Sequence, residues 1–373
     1  MTFIPQSKIR VPQSNSMSIE KIKEKIIANK RLTRKDGFEL FKSNDLLVLG
    51  RMASHVAQGK NGNNVYFVRN MHINPTNICV NRCKFCAFSR SKGEPGAYEM
   101  SIEDILNKAR GAGKGVRELH IVSGLHPDLP FEWYIDMLRA LKKEFPKMHL
   151  KAFTAVEIDY LARLSGLNVT DTLIKLKEAG LGSLPGGGAE IFNSTVRNTL
   201  CAEKISGDRW IEVIEAAHKV GLKSNATMLY GHIETYEHRV DHLIRLRDLQ
   251  DKTGGFQAFI PLSFHSQNTE IKKSAYTTGF DDLKTLAISR LMLDNFDHIK
   301  AYWVMLGEKI AQVSLSFGVD DLDGTVVEER ITKAAGGTTD GSMTKNDIVH
   351  LIRQAGKIPV ERDTVYNVVK VWK

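Results

Sequence analysis

The sequence predicts an α/β protein built on a parallel (β/α) barrel, complete or one or two strands short, with N-terminal helices before it and a C-terminal helical extension after it. Three observations point that way: seven short apolar runs, amphipathic stretches between them, and a chain of 373 residues, 42% hydrophobic, that can bury a sizeable core. The runs lie at 65–73, 118–122, 150–155, 182–184, 224–229, 258–262 and 298–305. Helical spacing marks 102–112, 132–144, 170–178, 207–220, 236–251 and 281–295 between them. Six such βα steps are too many for a simple sandwich.

Taken in order, 18–30 has apolar residues at helical spacing, and Ser43, Asn44 and Asp45 offer N-caps for a helix running towards Ala57. Gly59 to Asn64 then breaks the pattern, so 1–64 reads as an N-terminal helical segment and 65–307 as the barrel core. Beyond Gly307, 310–317 and 325–335 read as helical pieces and Gly336 to Gly341 as a flexible connector. Thr344 caps a helix over 344–354, and Pro359 opens another towards Val371. The extension thus covers 308–373 and is expected to be mainly helical.

Composition narrows the function classes. No stretch approaches the roughly 20 apolar residues that span a bilayer, and no signal-like run opens the chain, so a cytoplasmic protein without a membrane span is expected. The net charge of +9 comes from Lys and Arg scattered among 43 acids, with no basic stripe of the kind that binds nucleic acid. Three of the four cysteines cluster and Cys201 stands alone, which is not a disulfide framework.

The clustered three are the most informative feature. Cys79, Cys83 and Cys86 are spaced C-x3-C-x2-C, with Phe85 just before the third and no fourth cysteine nearby. An iron-sulfur cubane usually takes four thiolates, so three on one loop suggest a 4Fe-4S cluster with one iron left for a small molecule. Zinc is the competing reading, since C-x2-C is a zinc half-site, but it would need His72 or another neighbour in place of the missing second pair. The loop follows the first strand, where barrels of this kind keep reactive groups. By the same argument His126, His232 and His265, at or just after strand ends, are candidate catalytic residues for hydrogen bonding or proton transfer.

This cysteine loop resembles that of the radical S-adenosylmethionine superfamily, in which the open iron holds the amino and carboxylate groups of that cofactor. Further motifs narrow the resemblance: Ser123-Gly124-Leu125-His126-Pro127, Pro185 to Ile191, Ser224 to His232, Thr253 to Phe256 and Asp321 to Thr325 are similar to the aminofutalosine synthase family of menaquinone biosynthesis. Two small departures are Ser123 and Ser266, where a glycine and a proline are expected.

The resemblance implies that S-adenosylmethionine is a consumed cosubstrate, cleaved by one electron to methionine and a 5′-deoxyadenosyl radical. That radical adds to the vinyl carbon of 3-[(1-carboxyvinyl)oxy]benzoate, the aryl group migrates, and a carboxyl group leaves as bicarbonate, giving 6-amino-6-deoxyfutalosine. The alternative is its sibling, cyclic dehypoxanthine futalosine synthase, which abstracts hydrogen instead. Implied partners are the small dicarboxylate enol ether and a one-electron donor such as flavodoxin or ferredoxin. Implied cofactor contacts are Phe85, Ser123, Gly124, Gly187, Gly188, Glu190 and Asn225, with Arg197 pairing with a carboxylate; Thr227, Tyr230 and Asn268 are the expected substrate contacts. At least one Arg, or several fixed donors, is expected for the substrate carboxylates.

Overall fold

The computed structural model describes residues 13–271, 277–339 and 341–372, with side chains from Ser18 onward. Three helices come first: Gln13–Ile27, Arg34–Lys42 and Leu46–Asn61. Thr33 and Asp36 form a reciprocal capping box on the second, and Asp45 caps the third by accepting from the Val48 N–H at 3.0 Å. The strands follow as β1 (Asn64–Val68), β2 (Asn70–Ile73), β3 (Glu118–Ile121), β4 (His149–Ala152), β5 (Ser183–Leu184), β6 (Lys223–Tyr230), β7 (Phe256–Ser263), β8 (His298–Ile299), β9 (Asp321–Gly324), β10 (Ile358–Arg362) and β11 (Val368–Val371).

Strands β2 to β8 pair in chain order, all parallel, in one seven-stranded sheet. Parallel neighbours need a crossover, and each connection carries one or two helices. Those helices pack on the sheet through residues such as Leu119, Ile121, Leu138, Leu173, Trp210 and Phe259, all essentially buried. The sheet curls until one segment bridges its two edges. The Asp320 N–H reaches Ile299 O at 3.2 Å on the β8 side, and the His72 N–H reaches Val327 O at 2.8 Å on the β2 side.

Alternate residues of the inner strands are polar. Lys151 on β4 pairs with Glu118 on β3 at 2.8 Å, and Lys300, just past β8, pairs with Asp323 on β9 at 2.7 Å, both pairs buried. A second sheet, in the order β11-β10-β1-β9, lies beside the first; there Arg362 and Tyr366 both donate to Asp321 at 2.7 Å.

Several expectations change. The single run 65–73 is two strands in different sheets, because Asn70 turns its backbone and side chain to 325–326: its N–H donates to Thr325 Oγ1 at 3.1 Å and its Oδ1 accepts from the Val326 N–H at 2.9 Å. The helix expected over 325–335 shrinks to Ile331–Ala334, since Asp323, Val326 and Glu328 have φ of 63°, 45° and 64°, which no right-handed helix tolerates. Strand 298–305 stops at Ile299 and gives way to the short helix Trp303–Leu306. The helix expected from Pro359 is the pair β10 and β11. Its valines favour a pleated surface, and Asp363 holds the turn by accepting from the Val365 and Asn367 N–H groups at 3.0 and 2.9 Å. Helices Ala155–Ser165 and Ser194–Cys201 were not expected; Thr154 with Glu157, and Asn193, cap them. In the expected connector, Asp340 lies outside the described residues.

Candidate active site

The cysteine loop leaves β2 and is held by backbone bonds on both sides. The Cys79 N–H donates to Arg90 O at 3.0 Å, the Val80 N–H to Leu125 O at 3.0 Å, and the Lys84 N–H to Leu200 O at 2.8 Å. Gly124 makes the close approach possible, since a Cβ there would lie 2.2 Å from Ile78 O. Gly186 serves the same end opposite: its φ is +84° and a Cβ would meet Asn225 O at 2.1 Å.

Between these two turns lies a cavity of about 350 Å³. Cys79, Cys83, Cys86, Phe85, Ser123, Gly124, Gly187, Gly188, Glu190, Asn225, Thr227 and His265 all line it. Five expected site residues do not. Arg197 is buried, and its guanidinium donates to backbone carbonyls, at 2.6 Å to both Ala189 and Ile205, so it holds the glycine-rich turn instead of a ligand carboxylate. Tyr230 donates to Asp282 at 2.7 Å beneath the helix Gly279–Met292. Asn268 donates to Ala334 O at 2.9 Å.

His126 Nδ1 accepts from the Asp128 and Leu129 N–H groups at 3.1 and 3.2 Å, which leaves the proton on Nε2, 2.7 Å from Glu99. His232 is spent in its own turn, with Nε2 2.9 Å from Leu229 O and Nδ1 accepting from the Ile233 N–H at 2.7 Å. His265 reaches the cavity, its Nε2 fixed 2.9 Å from Met305 O.

Other lining residues carried no motif. Lys204 donates to Glu190 at 2.7 Å and its ammonium lies 5.0 Å from the Phe85 ring centroid. Burial opposes its charge, but Cys83 and Glu190 outweigh burial and hold its pKa above the usual lysine value. Burial likewise pushes Glu190 up, and Lys204 overrides it, keeping that carboxylate below its usual range. Glu157 accepts from the Thr154 N–H at 2.7 Å and the Ser123 N–H at 3.1 Å, yet burial leaves its pKa raised. His72, His120 and Tyr302 form a stacked aromatic row on the same cavity. A Lys three residues after a lone Cys gave no sequence signal; only the fold brings Lys204 to the cysteine loop.

The donor set fits a cluster. Burial pushes the Cys83 thiol up to about 12 and raises Cys79, so these groups ionise only against a strong positive centre. Among the described residues no group of three or more His, Cys, Asp or Glu side chains is placed to share one metal ion, the three cysteines included. A cubane asks for something else, one thiolate at each of several corners around an open space. No cysteine pair is bonded: Cys79, Cys83, Cys86 and Cys201 are all free.

A family model described as the radical SAM superfamily matches residues 73–246, and one described as the CofH/MqnC C-terminal region matches residues 253–373. Aminodeoxyfutalosine synthase of Thermus thermophilus is 47% identical over 356 residues, 94% of this chain and 96% of that protein. The Streptomyces coelicolor protein of the same name is 45% identical, with 94% of each covered. A 5-amino-6-(D-ribitylamino)uracil–L-tyrosine 4-hydroxyphenyl transferase of Methanothermobacter thermautotrophicus is 43% identical over 87% of this chain and 90% of its own. Among solved structures, the hydrogenase maturase HydG of Carboxydothermus hydrogenoformans superposes with a TM-score of 0.74 at 16% identity, covering 95% of this chain and 82% of its own. Methylornithine synthase (PylB) gives 0.70 at 19% identity, with coverage of 90% and 95%. These two share the curled parallel sheet and its surrounding helices. With its three cysteines on one cavity, this fold and nearly full-length relatives, the chain is an enzyme that belongs to the radical S-adenosylmethionine superfamily, in the group carrying the CofH/MqnC C-terminal region.

Proposed function

We propose that the protein is an aminodeoxyfutalosine synthase, joining the 5′-deoxyadenosyl group of S-adenosylmethionine to 3-[(1-carboxyvinyl)oxy]benzoate with aryl migration and loss of bicarbonate. The observation that carries this reading is identity of 47% and 45% to two such synthases over 94% of the chain. Cys79, Cys83 and Cys86 would hold a 4Fe-4S cluster, which with S-adenosylmethionine supplies the adenosyl radical on one-electron reduction. A flavodoxin or ferredoxin is a fitting donor in a cytoplasmic setting. No helix among the described residues is long and apolar enough to cross a membrane.

The chain's own part is placement. Glu190, kept anionic by Lys204, is positioned for the cofactor's ribose hydroxyls or amino group, and Gly187 and Gly188 bring backbone beside it. Phe264, Leu229, Ile260 and Leu262 give the substrate's aryl ring an apolar wall and keep water out. Glu157, with its raised pKa, can hold a proton beside Ser123. No Arg lines the cavity among the described residues, so the carboxylates must find other donors.

Anaerobic incubation of reconstituted protein with the enol ether, S-adenosylmethionine and a reductant tests the reading. An adenosyl-containing adduct with methionine and bicarbonate is expected; free 5′-deoxyadenosine without an adduct argues against it. Stoichiometric 5′-deoxyadenosine from dehypoxanthine futalosine would select the sibling enzyme. The 43% identity to the M. thermautotrophicus transferase favours a second reading, tested with L-tyrosine and 5-amino-6-(D-ribitylamino)uracil in place of the enol ether.

A further inference from the structure

One part of the cavity lining is built from His72 on β2, His120 on β3 and Tyr302 beyond β8. The His120 ring stacks on His72 with centroids 4.4 Å apart, and Tyr302 lies nearly parallel to His72 at 6.4 Å and 7°. His72 is 6% exposed, and its Nε2 is buried with no hydrogen-bond partner among the described residues. A buried polar nitrogen left unpaired is costly, so such a group in a binding cavity calls for a ligand atom.

The rest of the lining says which kind. Its lysine, Lys204, is committed to Glu190, and Glu157, Asp323 and Glu329 add carboxylates. A substrate with two carboxylates therefore needs a cation that the resting cavity does not offer.

The groups facing His72 are His120, Asp323, Glu329, Glu118 and Lys151. Four of the five are already engaged: Asp323 with Lys300 at 2.7 Å, Glu118 with Lys151 at 2.8 Å, and Glu329 with backbone. Glu329 accepts from the Ile331 and Thr332 N–H groups at 2.8 and 3.0 Å. Burial keeps both imidazoles neutral, His120 most strongly. An added anion against the pair reverses that balance, because it compensates the buried positive charge.

We propose that His72 and His120 form the subsite for one carboxylate of the aryl enol ether, and that the pair takes up a proton from solvent as this anion binds. The proposal rests on the dicarboxylate substrate of the preceding reading. No bond in the substrate changes: one imidazole becomes imidazolium and donates its N–H to the carboxylate.

Titration calorimetry tests it, using reconstituted enzyme with S-adenosylmethionine but no reductant, and 3-[(1-carboxyvinyl)oxy]benzoate as titrant in two buffers of different ionisation enthalpy. The expected result is uptake of about one proton per substrate near neutral pH, with affinity falling as pH rises. His72→Asn is expected to abolish the uptake and raise Kd about 10- to 100-fold, and His120→Asn gives the same readout if the first variant does not fold. Wild-type binding without proton uptake overturns the subsite, as does retention of uptake and affinity in both variants; either result leaves product formation, and with it the proposed function, standing. A wild-type enzyme that forms no adduct from the enol ether overturns the function and the subsite together.

Discussion

Lys204 Nζ donates to Glu190 Oε1 across 2.7 Å, beside the loop that carries Cys83 and Cys86. Both side chains are mostly buried, so neither charge is stable alone. Lys204→Met is expected to cost about 3 kcal/mol of stability, the usual result of leaving one buried charge unpaired. Thermal unfolding measures that loss, and a raised KM for S-adenosylmethionine should accompany it.

Arg197 ties the turn on either side of Glu190 to Ile205 through backbone carbonyls. A lysine there cannot reproduce its planar fork. Arg197→Lys is expected to raise the KM for S-adenosylmethionine several-fold while iron content stays normal. Loss of iron would place its role at the cluster instead.

Gly124 lies against the cysteine loop with no room for a side chain, a Cβ being 2.2 Å from Ile78 O and 3.1 Å from Cys79 Cβ. Gly124→Ala is expected to displace that loop and lower the iron bound after reconstitution, read by metal analysis and by the visible absorbance of the protein. Cys201→Ala is the contrast. It should leave iron unchanged and cost about 1 kcal/mol, as an ordinary buried truncation does.

Acid should unfold the protein well before its carboxylates are all protonated. Burial holds His149 and His218 at about 4 and His242 at about 3, against about 6.5 for an unfolded chain. Stability from these neutral imidazoles is complete above about pH 6.5 and is lost as pH falls towards those folded values, because the unfolded chain binds the protons first. Each contributes up to about 1.4 kcal/mol per pH unit in that window. Melting temperature measured from pH 7 to pH 5 should fall steeply, and His242→Phe should flatten the curve.

Much of the barrel was legible because its evidence is local. Runs such as Glu118 to Val122, and the helix at 132–144, announce themselves by period and flanking turns, and the cysteine loop by spacing. What escaped depended on distant partners. Asn70 turns the chain only because Thr325 and Val326 are there to receive it, and β10 finds its place only beside β1. The same holds for the site: Lys204, His120 and Tyr302 have no neighbours in sequence that mark them, and Arg197 looked like a ligand until the carbonyls it serves came into view.

The seam at 320–327 has a consequence in time. During synthesis the cysteine loop and β2 emerge early, whereas the segment that joins β8 to β2, and the β10 strand that flanks β1, are made much later. Until then the nascent barrel has an open side, next to β2, which carries His72 and leads into the cysteine loop. The barrel is thus closed by contacts between segments far apart in the chain, the kind that carry the largest loop-closure cost and slow folding.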